Sequence, residues 1–142
     1  MIKEDWYRDR IVWRANRSKL FEMRCVEFSS LPQVSAALIL KKVSEPFDPV
    51  LVFFKNDCTW TILETSSIYS HYDGNLIRVP LDIICKKISL AGVEHYTTPR
   101  ELKTKANFLK IKATGDLIWA PEGEELFALW NILRMFPLKV PV

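Results

Sequence analysis

The chain has 142 residues, 49% of them apolar and 26% charged, with a formal net charge of +3. That length suits one domain and is short for two, and the composition excludes a disordered chain. With five Trp, four Tyr and eight Phe there is enough apolar bulk for a packed core.

Residues 1–24 form a basic, aromatic segment. Lys3, Arg8, Arg10, Arg14, Arg17, Lys19 and Arg24 face only Glu4, Asp5, Asp9 and Glu22. Trp6, Tyr7, Ile11, Val12, Trp13, Leu20 and Phe21 are spread through it at irregular spacing, so a helix is expected only in part. Its simplest reading buries Trp6 and Trp13 while the arginines stay in water. Met23–Phe28 reads as a strand. Ser30-Leu31-Pro32-Gln33 then offers a helix start, with Ser30 as N-cap. Residues 34–43 read equally as a short helix or as a strand.

From Pro46 onward the pattern is β. Val50–Phe54 is a strand after the Pro46-Phe47-Asp48-Pro49 turn, and Thr59–Glu64 is a half-buried one, with Trp60 and Ile62 alternating against Thr61 and Leu63. Ile68–Tyr72 and Leu76–Val79 flank Asp73-Gly74-Asn75, the strongest hairpin signal in the chain. Phe108–Lys112 and Leu117–Trp119 flank Thr114-Gly115-Asp116 as a second hairpin. Pro121-Glu122-Gly123-Glu124-Glu125 opens a closing helix over about 122–136, with Leu126, Leu129, Trp130, Leu133 and Phe136 at helical spacing. Trp130 is expected to pack on the sheet face that carries Ile62 and Ile111.

Together these predict an α+β fold: an antiparallel sheet or partial barrel capped by a C-terminal helix. Trp60-x-Ile62-x-x-Thr65-x-x-x-Ile68, Asp73-Gly74, Val79-Pro80-Leu81-Asp82-x-Ile84, Leu109-x-Ile111, Gly115, Leu117-x-Trp119 and a final helix bearing Trp130 carry a family resemblance. The order resembles the pleckstrin-homology-like group, particularly its bacterial and GRAM-type members, over about residues 48–136. The N-terminal segment is long for that fold. The lysine and arginine arrangement that phosphoinositide-binding members gather in their first hairpin is missing near residues 23–42, so lipid recognition is not carried over.

The chemistry-bearing residues are sparse. His71 and His95 lack metal-ligand spacing, so no metal or other cofactor is expected. Cys25, Cys58 and Cys85 are odd in number and widely spaced, and reduced, mostly buried thiols are expected. Cys58, His71 and Asp73 form the one trio with a nucleophile and a base, and no oxyanion hole accompanies them. Glu122, Glu124 and Glu125 suit helix initiation, and Asp57, Asp73 and Asp116 suit turns. No phosphate-cradling glycine loop is present. No enzymatic activity is expected.

Basic and aromatic residues alternate in Trp6-Tyr7-Arg8 and in residues 13–17, as in single-strand binders. A pI near 8.8 falls short of a strongly basic footprint, and no stable nucleic-acid complex is expected. A second basic cluster, Arg100, Lys103, Lys105, Lys110 and Lys112, faces only Glu101. No apolar run approaches the roughly 20 residues of a membrane-spanning helix. The start at Met1 lacks a secretory h-region, so a cytoplasmic location is expected. The partner expected is another protein, with Trp6, Trp13, Arg14, Arg17, Lys103 and Lys105 as candidate contacts. One concrete form is a small inhibitor or immunity-type protein that covers a toxin. The alternative is a membrane-surface or phosphoinositide-binding module.

Overall fold

The computed structural model describes residues 2–141. Helix α1 (Lys3–Arg17) carries Glu4 and Asp5 in its first turn and Arg14 and Arg17 in its last, each sign at the end of the helix dipole that favours it. A 3-10 turn leads to the short strand β1 (Cys25–Val26), and a second one to α2 (Gln33–Leu40). Four strands follow: β2 (Pro49–Asn56), β3 (Thr59–Glu64), β4 (Ser67–Tyr72) and β5 (Asn75–Pro80). Then come β6 (Ile88–Leu90), α3 (Pro99–Lys105), β7 (Phe108–Ile111), β8 (Leu117–Trp119) and α4 (Glu124–Leu133).

The strands form two antiparallel sheets, one ordered β1-β2-β3-β4-β5 and the other β6-β7-β8. On one face of the larger sheet, Leu51, Phe53, Leu63, Ile68 and Val79 join a core completed by α1, α4 and the smaller sheet. On the other face, Val52, Trp60, Ile62 and Tyr69 pack with Ile39 of α2 and the rings of Phe28 and Phe47. Covering on both faces is why every residue of β3 is buried, where alternation had suggested a half-buried strand.

The buried polar residues of β3 and β4 fasten the second sheet to the first. Thr61 Oγ1 donates to the Trp119 carbonyl at 2.5 Å, Ser70 Oγ lies 2.8 Å from Thr61 Oγ1, and Trp119 N–H donates to Ser70 Oγ at 3.0 Å. Replacing either hydroxyl by a methyl would leave a buried backbone group of β8 without its partner.

The antiparallel sheets, both hairpins and the closing helix agree with the sequence. Several details differ. The expected strand over Met23–Phe28 shrinks to two residues because a 3-10 turn begins at Phe28. Residues 33–40 are helical, with Pro32 at the N-cap and no side-chain cap, so Ser30 does not perform that role. Helix α3 interrupts the β region. Trp130 is half-buried in the core of the α1 and α4 side, its indole N–H donating to the Ile88 carbonyl at 3.1 Å, whereas Ile62 lies on the opposite sheet face. The helix therefore caps β6 and its neighbours rather than the Ile62 face.

Candidate interaction surface

Helix α1 buries a narrow seam, Tyr7, Ile11 and Ala15, at successive steps of four residues. A second stripe, Trp6, Arg10, Trp13 and Arg17, runs along its exposed flank at steps of four, three and four. The Arg10 guanidinium carbon sits 4.7 Å from the Trp6 ring centroid and 5.0 Å from that of Trp13, and Arg17 sits 5.1 Å from Trp13. Asp9 holds Arg10 through bonds of 2.7 and 3.0 Å. Each such stack contributes about 0.5–1 kcal/mol at an exposed site, and the ladder limits the rotamers of four large side chains. Trp13 remains 42% exposed, so it does not fill the core as its residue type suggested. Arg14 is off this ridge: it is half-buried, and its shielded Nε has no partner among the described residues. The Trp6 indole N–H also lacks one.

The ridge leads into an open cleft of about 500 Å³. Arg17 and Lys19 line one side of it, Lys103 of α3 another, and Met23, Phe127 and Ala128 supply an apolar lining. Lys103 is placed by an N-terminal cap in which Glu101 N–H donates to Thr98 Oγ1 at 3.1 Å, with Pro99 in the first turn. The Glu101 carboxyl is held below its usual range by the hydroxyl and backbone N–H of Thr97, and further by Thr98. Trp6, Trp13, Arg17 and Lys103 thus belong to one surface. Lys105 does not line the cleft.

The second basic cluster divides. Lys110 and Lys112, in β7 and just past its end, come beside Lys86 and Lys87, which lead into β6. The four line an open cleft of about 490 Å³. Cys85 and Lys86 both have positive φ, 52° and 64°, and Lys87 N–H bonds the Ile84 carbonyl at 3.0 Å. This tight turn of two non-glycine left-handed residues is costly. It sets Lys86 and Lys87 beside β7, and none of the four lysines makes an ion pair among the described residues.

The chemistry-bearing residues have structural partners. His71 is buried in β4, not at the hairpin tip, and stacks on Trp60 with the rings 11° from parallel. Its Nδ1 lies 2.7 Å from the Cys58 carbonyl oxygen and its Nε2 3.2 Å from Lys42 Nζ. The trio of Cys58, His71 and Asp73 does not assemble, because His71 meets the Cys58 backbone while the Cys58 side chain is exposed and Asp73 forms the turn. Only Cys25 is buried, its thiol pushed up to about 12 by desolvation; Cys58 and Cys85 are exposed, contrary to the expectation of mostly buried thiols. Among the described residues no group of three or more His, Cys, Asp or Glu is placed to hold a metal, and no helix is long and apolar enough to cross a membrane.

No protein-family model, curated protein or solved structure matches this chain.

Arg10 and Lys19 belong to the basic segment read from the sequence but not to its candidate contacts, and Lys86 and Lys87 belong to neither basic cluster. Arg10 was findable from its spacing to Trp6 and Trp13 once the segment is read as one helix. Lys86 and Lys87 join Lys110 and Lys112 only through the β6–β7 pairing.

Proposed function

We propose that this chain is a non-catalytic protein-binding domain, of the kind that inhibits a partner by covering it. The observation carrying this reading is the exposed Trp13 held between Arg10 and Arg17, beside the cleft that Arg17 shares with Lys103. Trp and Arg dominate the energetics of protein interfaces, and side chains already fixed in one rotamer lose less entropy on binding. The mild positive charge favours an acidic face on the partner, which fits an immunity-type role only where the neutralised toxin presents one. A photo-crosslinking side chain at Asn16, exposed on α1, tests the reading: a discrete protein adduct in the native cell supports it, and no adduct overturns it.

The membrane-surface reading keeps one specific support, the four-lysine patch, because clustered lysines attract anionic surfaces. The element order over residues 48–136 is compatible with the pleckstrin-homology-like group. Flotation with anionic vesicles, compared with Lys110→Glu/Lys112→Glu, separates this reading from the first.

A further inference from the structure

Strand β5 ends the larger sheet, with β4 on one side and, among the described residues, no strand on the other. The outward-facing groups of β5 follow from its turn. Asp73 and Gly74 have φ of 51° and 79°, so Tyr72 and Asn75 close a two-residue hairpin and form a hydrogen-bonded pair. Antiparallel pairs alternate, so Ile77 and Val79 bond β4, while the backbones of Leu76, Arg78 and Pro80 face outward. Pro80 fits this assignment, because its missing N–H lies on the side where the sheet needs none. Neither Leu76 nor Arg78 bonds another element through its backbone among the described residues. They present two N–H and two C=O groups as an open strand edge.

The side chains around that edge differ on the two faces. On the core side, Ile77 borders a cleft of about 430 Å³ that opens between the two sheets, with Tyr72, Phe108 and Leu117 around it. The Tyr72 and Phe108 rings meet edge-on at 4.8 Å, and Tyr72 and Leu117 are both exposed. On the other face, the Arg78 guanidinium lies over Tyr69 at 5.9 Å and makes no ion pair among the described residues.

We propose that the edge of β5 receives an extended peptide segment of a partner protein, with an acidic residue opposite Arg78 followed by an apolar residue whose side chain enters the cleft between the sheets. Backbone bonds to Leu76 and Arg78 supply affinity, and the two side-chain positions supply selectivity. The alternation of a strand puts consecutive peptide residues on opposite faces, which is why an acidic residue and an apolar one stand next to each other. The inference rests on the protein-binding reading and adds a contact separate from the α1 ridge, since Arg78 stacks over Tyr69 on the sheet face opposite the one that α1 covers.

The probe is a set of fluorescein-labelled, threonine-rich heptapeptides with a central Glu-Phe, Lys-Phe or Glu-Ser pair, titrated against the full chain by fluorescence polarisation. Glu-Phe should bind, and the other two at least about tenfold more weakly. A Glu-Phe peptide N-methylated at the glutamate and at the residue after the phenylalanine should not bind the unaltered chain. Arg78→Pro, which removes both an outward N–H and the guanidinium while sparing the bonds to β4, should abolish binding, and Arg78→Glu, which keeps the N–H, should reverse the preference between Glu-Phe and Lys-Phe. Equal binding by the N-methylated peptide, indifference to Arg78→Glu, or no binding of Glu-Phe at millimolar peptide would overturn the proposal. If the peptides fail while a chain carrying Arg78→Pro still forms the Asn16 adduct, the edge assignment falls and the protein-binding reading stands.

Discussion

Arg24 and Glu125, 101 positions apart in sequence, are joined by a two-pronged ion pair, Arg24 Nε to Oε2 at 2.6 Å and Nη2 to Oε1 at 3.0 Å. Glu125 is buried in the first turn of α4, and the guanidinium also reaches the Glu122 carbonyl at 2.9 Å. The pair ties the approach to β1 to the closing helix. Arg24→Met should cost about 1–3 kcal/mol, since it leaves a buried carboxylate without its donors. A denaturant midpoint equal to that of the unaltered chain would show that the pair does not hold α4 in place.

The two kinds of tryptophan should separate in stability. Trp60 is almost fully buried between the sheet and α2, and Trp60→Ala should cost about 3–5 kcal/mol. Trp13→Ala, on the exposed flank, should cost about 1 kcal/mol or less, mainly its stacks with Arg10 and Arg17. Urea unfolding of both variants checks the contrast.

Thiol labelling at pH 8 reports burial directly. Cys58 and Cys85 should react in the native chain, and Cys25, its thiol pushed up to about 12, only after unfolding. Three fast-reacting thiols in the native state would contradict the packing of β1 against β2.

The Lys3, Tyr7 and Asp82 cluster sets stability at both ends of the pH range. Tyr7 Oη donates to Asp82 Oδ1 at 2.5 Å, and Lys3 pairs with the other oxygen. Burial pushes the Asp82 carboxyl up, but the bonds from Lys3 and Tyr7 and the Lys3 charge outweigh it, so its value is lowered. Its contribution is present above the ordinary carboxylate value of about 4 and is lost as pH falls through the lowered one. Lys3 is raised by its bond to Asp82, and Tyr7 by burial. Their contributions are complete below about 10 and are lost as pH rises through the raised values. Asp82→Asn should flatten the acid limb and the Lys3 part of the alkaline limb, leaving the part that burial of Tyr7 supplies, and a curve of unchanged shape would rule the cluster out as a source of either.

Much of the fold could be read from local chemistry. Asp73-Gly74 announces a tight hairpin and adopts its left-handed backbone, and the apolar spacing of α4 survives as its buried face. Helix α1 was obscured because its buried seam is a tyrosine, an isoleucine and an alanine, while the conspicuous tryptophans lie on its flank. Thr98-Pro99-Arg100-Glu101 carries a capping signal for α3, with Thr98 as the N-cap and Pro99 in the first turn. Burial of the second sheet face depends on α2, whose residues suit strand as well as helix. The interaction surface was half visible: Trp13, Arg17 and Lys103 stood out, but that Arg17 and Lys103 line one cleft is a tertiary fact.

The most direct test of the protein-binding reading is affinity capture from the native cell at about 0.5 M salt, where exposed charges are well screened, followed by mass spectrometry. The unaltered chain, Trp13→Ala/Arg17→Glu and Lys110→Glu/Lys112→Glu serve as parallel baits. The expected result is one protein retained by the unaltered chain and by the lysine variant, and lost with the α1 variant. Equal retention by all three baits, or a partner lost at that salt and with Lys110→Glu/Lys112→Glu, would contradict it.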